Sequence, residues 1–307
     1  MQRRTSTITP QPPYDFGLTV EYLASFQGER RVDVVEDGQY RRLFDLNGRL
    51  FLAGVRSVGT VERPELDVTV EGESVSDADF HAVSQALEWT LISAVPLDQF
   101  YALVSKDQVL APVVDQLYGL HPARTPTVFE AFVHAIMGQQ IANSVARIIR
   151  AAMLESYSPT LSVNGRTYYA FPGPADIMPQ GIPGLRGIKL SNRKAEYILD
   201  VATALHRGDL DLDGLRDLPD EAVAERLLAL RGVGRWTVEW LLIRALGRLN
   251  GFPSGDLALQ RVIARFYFDT ERLSEQELEQ FSQRWAPWRS LFTTYLFAAI
   301  RKGMIKP

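Results

Sequence analysis

The sequence contains no cysteine, which excludes disulfides, thiol nucleophiles and cysteine-held iron–sulfur clusters. Histidine is scarce: His81, His121, His134 and His206 are scattered, without the spacing of metal ligands. No run approaches the ~18 consecutive apolar residues of a membrane span. The opening Met1-Gln2-Arg3-Arg4-Thr5 leads into polar residues and prolines, not a secretory core, so export is not expected. Neither sign of charge dominates, the net being -4 over 307 residues. What remains is an ordinary globular composition, 46% hydrophobic and 23% charged, of a length that suits about two domains.

The small net charge hides a step along the chain. Residues 1–120 carry 10 Lys/Arg against 18 Asp/Glu, whereas residues 121–307 carry 23 against 19. The second part is the better placed to face an anionic ligand.

Residues 1–12 hold Pro10 and Pro12 without a periodic apolar pattern and read as a loose tail. From about 30 to 72 the hydrophobic period is two. Arg31 to Val35, Tyr40 to Leu46, Arg49 to Val55 and Leu66 to Val70 are strand-like runs. Asp37-Gly38 and Asn47-Gly48 separate runs and supply the positive φ angles of tight hairpins, so an antiparallel meander is expected. After Ser76, a plausible N-cap, the period becomes 3.6, with Phe80, Val83, Leu87, Leu91 and Ile92 on one helical face. Thr127 to Glu130 is a capping box opening a helix that should reach roughly Glu155, and Ser274 to Glu277 is a second. Further helices fit 191–206, 220–230, 235–248, 257–268 and 288–302. The reading is α+β: an accessory sheet domain with helices over 13–112, then an all-α domain over 113–307.

The most informative stretch is Leu230-Arg231-Gly232-Val233-Gly234-Arg235-Trp236-Thr237. A helix precedes its glycines where a dinucleotide-binding loop needs a strand, so that reading fails. A helix–hairpin–helix remains. Its glycines let backbone N–H groups approach a phosphate at a helix N-terminus, and Arg231, Arg235, Arg244 and Arg248 add positive charge. The same pattern also suits a plain helix–helix turn with a glycine C-cap. Downstream, Phe252-Pro253-Ser254-Gly255-Asp256 sets a carboxylate before an apolar-periodic run. Asp256 reads as an N-cap, and one oxygen can cap while the other faces a pocket.

These two motifs, with Arg284-Trp285-Ala286-Pro287-Trp288-Arg289-Ser290, resemble the helix–hairpin–helix DNA glycosylase superfamily, and within it the bacterial 3-methyladenine DNA glycosylase II type. Gln11 to Asp15 and the strand-rich region resemble the accessory sheet of that type. Phe132 to Ile141, ending Met137-Gly138-Gln139-Gln140-Ile141, resembles its first core helix and DNA-wedge loop. The resemblance implies hydrolysis of the N-glycosidic bond of an alkylated base, flipped from the duplex, leaving an abasic site. It assigns Asp256 as the catalytic carboxylate, with Tyr22, Trp236, Trp240 and Phe297 as an aromatic pocket holding a cationic base. Core packing is the other reading of those aromatics, and Trp285 and Trp288 read as core. DNA contacts fall to Gly232, Gly234, Arg235 and Thr237, with Gln140 as a polar wedge where the enterobacterial type has an aliphatic one. Trp236 stands where strand-cleaving members carry a Schiff-base lysine, so no lyase step is implied.

The resemblance also implies a Na or K ion at the hairpin on the backbone carbonyls of Leu228, Leu230 and Val233, and no other cofactor. Its partner would be double-stranded DNA with damaged bases, bound by a monomer in a bacterial cytoplasm, at the nucleoid and away from membranes. Phe297 in place of a Trp and Trp240 in place of a Tyr keep the pocket aromatic and leave the lesion open. Two alternatives stand beside this: a glycosylase for another base such as hypoxanthine, or a non-catalytic DNA-binding hairpin protein.

Overall fold

In the computed structural model, which describes residues 1–306, both Asx–Gly pairs turn the chain as expected. Asp37 and Gly38 take φ of 50° and 71°, and Asn47 and Gly48 take 56° and 82°. They join β2 (Asp33–Glu36), β3 (Gln39–Leu46) and β4 (Arg49–Ser57), and β5 (Leu66–Gly72) follows. The expected tail is in part a strand. β1 (Gln2–Ile8) pairs antiparallel along the whole of β5, from Gln2 opposite Gly72 to Ile8 opposite Leu66. Its partner lies some sixty residues away, so the prolines that follow it gave no sign of the pairing. The five-stranded sheet runs β1-β5-β4-β3-β2.

Both faces of the sheet are covered. Tyr40, Phe44, Phe51, Val55, Val68 and Val70 pack under α1 (Phe16–Ala24) and α2 (Asp77–Leu91). Ser76 caps α2 through a reciprocal box with Asp79. The neighbours of opposite parity, Val34, Leu43 and Leu52, meet Tyr168 and Ala170 from a hairpin formed far along the chain. That hairpin, β6 (Thr160–Val163) and β7 (Arg166–Tyr169), interrupts the region expected to be all helical. Arg41 Nη1 donates to Tyr168 Oη at 2.8 Å, and Arg166 pairs with Glu36 across the same seam.

The helical region has two cores. α3 (Leu97–Val104) and α4 (Leu110–Gln116) pack with α12 (Leu257–Phe268), α13 (Glu275–Ser282) and α14 (Arg289–Arg301). The expected boundary at 112/113 therefore passes through α4, and the packing divides between α2 and α3. The second core unites α5 (Val128–Gly138), α6 (Asn143–Tyr157), the short α7 (Pro174–Ile177) and α8 (Gly181–Gly187), α9 (Asn192–Arg207), α10 (Asp220–Leu228) and α11 (Arg235–Arg244). Among the described residues no helix is long and apolar enough to cross a membrane.

The single helix expected from Thr127 to Glu155 is two, broken at Gln139–Ala142, where Gln140 takes φ of 54°. Lys194 Nζ supplies the stop, donating to the carbonyls of Met137 at 2.9 Å and Gln139 at 2.7 Å. Thr127 caps α5, but Glu130 does not return to it. Glu130 instead accepts from Arg42 Nη2 at 2.5 Å, while Arg42 Nη1 reaches Asp33 at 2.7 Å and Tyr40 Oη donates to Asp33 at 2.6 Å. This charged cluster is fully buried between the sheet and α5.

His121 is buried as a neutral ring: Nε2 donates to the Pro13 carbonyl at 3.0 Å and Nδ1 accepts from Ser93 at 2.8 Å. Burial pushes its pKa down to about 4. Below pH 6.5 the unfolded chain binds a proton that the folded chain refuses, so stability is lost as pH falls from 6.5 toward 4. Urea unfolding at pH 7.5 and pH 5 should differ by about 2 kcal/mol from this residue. A His121→Gln variant should show a correspondingly flatter dependence, and an unchanged slope would refute the assignment.

Candidate active site

The hairpin between α10 and α11 is built by its two glycines in different ways. Gly232 takes φ of 82°, and a Cβ there would lie 2.1 Å from the Tyr197 ring. Gly234 is exposed and extended, open space surrounds its Cβ position, and it begins α11 without a side-chain cap. The first N–H groups of α11 are thus free to meet an anion. Gly232→Ala should unfold the hairpin and weaken binding to every duplex. Gly234→Ala should keep the thermal midpoint within about 2 °C and lose affinity alone. Melting curves and fluorescence anisotropy on two unrelated duplexes check both, and sequence-selective loss would contradict a phosphate clamp.

Of the four arginines read as phosphate donors, only Arg235 is free at the hairpin. Arg231 is paired with Asp200 at 2.7 Å and Glu196 at 3.1 Å, and Arg248 with Asp220 at 2.9 Å. Arg244 faces inward. Thr237, expected to contact DNA, is buried, and its Oγ1 accepts from Gln139 Nε2 at 3.1 Å. Gln139 also donates to the Gly232 carbonyl at 2.8 Å, which ties the Gln139–Ala142 loop to the hairpin. Gln140 stands exposed on that loop in the left-handed conformation. At the expected cation site the Leu230 carbonyl accepts from Val233 N at 3.2 Å, which leaves it a second lone pair, and Leu228 is exposed.

The loop before α12 is held by its own backbone and by α11. Asp256 N donates to the Pro253 carbonyl at 2.8 Å, and Phe252 N donates to Glu239 Oε2 at 2.7 Å. Asp256 is then divided between two tasks. Oδ1 caps α12, accepting from Ala258 N at 2.9 Å and Leu259 N at 3.3 Å. Oδ2 accepts from Trp236 Nε1 at 3.2 Å, and Asp256 lines a cavity of about 130 Å³. The capping and the pocket-facing readings both hold.

Trp236, Trp240 and Phe297 line the same cavity, with ring centroids 6.1 Å apart for the first pair and 5.4 Å for the second. Tyr22 does not. It is buried behind Phe26, edge-on at 5.2 Å, and Phe26 forms the wall. Trp285, stacked on Phe292 at 3.5 Å, is core as expected.

Sequence reasoning also missed the basic lining. Arg147, Arg150, Arg244 and Arg301 all face the cavity. Two were legible: Arg244 follows Trp240, and Arg301 follows Phe297, by the four residues that keep side chains on one helical face. Burial pushes Arg150 down to about 10 and lowers Arg244 and Arg301 as well. His134, beside them, is held well below its ordinary pKa by burial and then by these neighbours, so it is neutral.

A helix–hairpin–helix beside an aromatic cavity floored by one oriented aspartate defines a base-excision architecture. Residues 133–287 match the HhH-GPD superfamily of base excision DNA repair proteins, and the chain belongs to that superfamily. Its fold is similar to that of a 3-methyladenine DNA glycosylase from Archaeoglobus fulgidus, with a TM-score of 0.81 and 29% identity over 97% of this chain and 98% of that one. It is 23% identical to Escherichia coli DNA-3-methyladenine glycosylase 2 over 92% of this chain and 93% of that protein. A Schizosaccharomyces pombe 3-methyladenine DNA glycosylase, solved with abasic DNA, covers 66% of this chain and 97% of its own at a TM-score of 0.56 and 25% identity.

Proposed function

We propose that the chain is a monofunctional DNA glycosylase that removes alkylated bases of the 3-methyladenine and 7-methylguanine type from duplex DNA by hydrolysis. The observation that carries this is Asp256 in the cavity lining, its Oδ2 held by Trp236 while Oδ1 is spent on the α12 cap. The hairpin holds phosphate through the α11 N-terminus and Arg235, and Gln140 supports the gap left by the flipped nucleotide. The base stacks among Trp236, Trp240 and Phe297. As the C1′–N bond lengthens, positive charge grows on the deoxyribose, and the Asp256 carboxylate stabilises it and orients the water that attacks C1′. An N-alkylated purine leaves as a neutral molecule and needs no general acid.

Trp236 occupies the place of the strand-cleaving lysine, so the product is an abasic site in an intact strand. The enzyme acts as a monomer on bacterial chromosomal DNA, with no membrane partner. A monovalent cation at the hairpin would be held by the carbonyls of Leu228, Leu230 and Val233, and would screen a phosphate there. The test is incubation with methylated duplex DNA, following released bases and strand integrity separately. Free methylpurine with strands that break only in alkali is the expected result. Normal duplex binding without release would overturn the reading in favour of a non-catalytic clamp.

A further inference from the structure

We propose that Glu239 is a positioning residue: it anchors the start of the loop that carries Asp256, so that α11 sets where the carboxylate stands in the cavity lining. This rests on the glycosylase reading above and assigns one more residue to it.

α11 touches that loop twice. Trp236 Nε1 donates to Asp256 Oδ2 at 3.2 Å, and Glu239 Oε2 accepts from Phe252 N at 2.7 Å. The two side chains stand three residues apart, the spacing that puts them on one helical face. Between the two contacts the loop folds on itself: Ser254 N donates to the Phe252 carbonyl and Asp256 N to the Pro253 carbonyl, each at 2.8 Å. Its middle is fastened by Gln260 Nε2, which donates to the Ser254 carbonyl at 3.0 Å. A run so short and so bonded shifts as one piece, and a displacement at Phe252 is passed on to Asp256.

Phe252 is fully buried and lies outside any helix or strand, so its N–H takes its partner from a side chain of another element. Left unpaired, a buried N–H is costly. Glu239 forms no ion pair among the described residues. Arg289 on α14 is spent on Glu279 at 2.6 Å and Asn250 at 2.8 Å, and Arg235, one turn earlier on α11, stands exposed at the hairpin. Burial pushes the Glu239 carboxyl above its ordinary pKa. A half-buried carboxylate kept at that cost serves by its reach to Phe252.

α11 begins at the hairpin, where its first N–H groups are open to a phosphate, and the same ten-residue helix carries both fasteners of the loop. The spacing between a phosphate held there and a C1′ beside Asp256 is thus measured along one rigid element. Misplacement of a reacting group by about 1 Å is enough to slow a reaction greatly.

Two exchanges separate reach from charge. Glu239→Asp keeps the charge and withdraws the oxygens by one methylene, whereas Glu239→Gln keeps an acceptor in place and gives up the charge. Single-turnover release of 7-methylguanine from duplex DNA is measured beside binding to a duplex that holds a tetrahydrofuran abasic-site analogue. Glu239→Asp should slow release by about 30-fold and Glu239→Gln by about threefold, each with duplex affinity within about twofold of wild type. Retained affinity reports that each variant is folded. Three results would each overturn the proposal: a Gln variant as slow as the Asp variant, an Asp variant no slower than about threefold, or a loss of affinity equal to the loss of rate. A wild type that binds the duplex and releases no base would overturn the glycosylase reading, and this inference with it.

Discussion

Asp256→Asn is expected to slow base release by on the order of 10³-fold or more while duplex binding and thermal stability stay near wild type. The two halves of that expectation come from the two oxygens. Asparagine keeps a carbonyl oxygen for the Ala258 and Leu259 N–H groups and is as good an N-cap as aspartate. It loses the negative charge that faces the cavity, and a neutral amide stabilises a growing cation poorly. Asp256→Ala separates the roles further, since it should add about 1 kcal/mol of lost capping to the same loss of rate. Single-turnover kinetics beside a melting curve decide the matter. A variant that still releases base within tenfold of wild type would move the chemistry away from Asp256.

The second large effect lies outside the pocket. Arg42→Met should destabilise the protein by about 3–5 kcal/mol, because it leaves Asp33 and Glu130 buried without their shared partner. That corresponds to a fall in melting temperature on the order of 10 °C. Burial already pushes the Glu130 carboxyl up and Arg42 draws it down, so without Arg42 it would take up a proton on folding. Arg42→Met with Glu130→Met should recover part of the loss, since the stranded carboxylate goes with its partner. A single variant that costs less than about 1 kcal/mol would show that the cluster is incidental to the docking of sheet and helix.

Most local signals in this sequence were read correctly, and the distant ones were not. The Asx–Gly turns, the Ser76 cap, the Ser274 box and the Asp256 cap depend on neighbours within four residues, and each is present, whereas only the Thr127 half of the box at α5 forms because Arg42 claims Glu130. β1 depends on a strand sixty residues on, and nothing in its own residues tells of that. The β6–β7 hairpin carried the same turn signal, Asn164-Gly165 with φ of 51° and 76°, but a helical pattern on either side drew attention from it. The break in the α5–α6 pattern is made by Lys194, over fifty residues away. At the site, Asp256, Trp236, Trp240 and Phe297 come together as the motifs implied. Tyr22 was taken for Phe26, one helical turn on, where the chain leaves α1 and the helical period no longer applies. The arginines divided by partners on other elements: acids claim Arg231 and Arg248, and none claims Arg244 or Arg301.

The hairpin laid across the outer face of the sheet has a mechanical consequence. Tyr168 and Ala170 from the helical region fill the side of the sheet opposite α1, while Arg42 joins it to α5. Contacts on both of its faces thus hold the sheet to the helical region, and α1, the helix that leads to Phe26, packs on one of those faces. Under the function proposed above, the bending and unstacking needed for capture would fall on the duplex, and a lesion that already weakens its own base pair would be favoured.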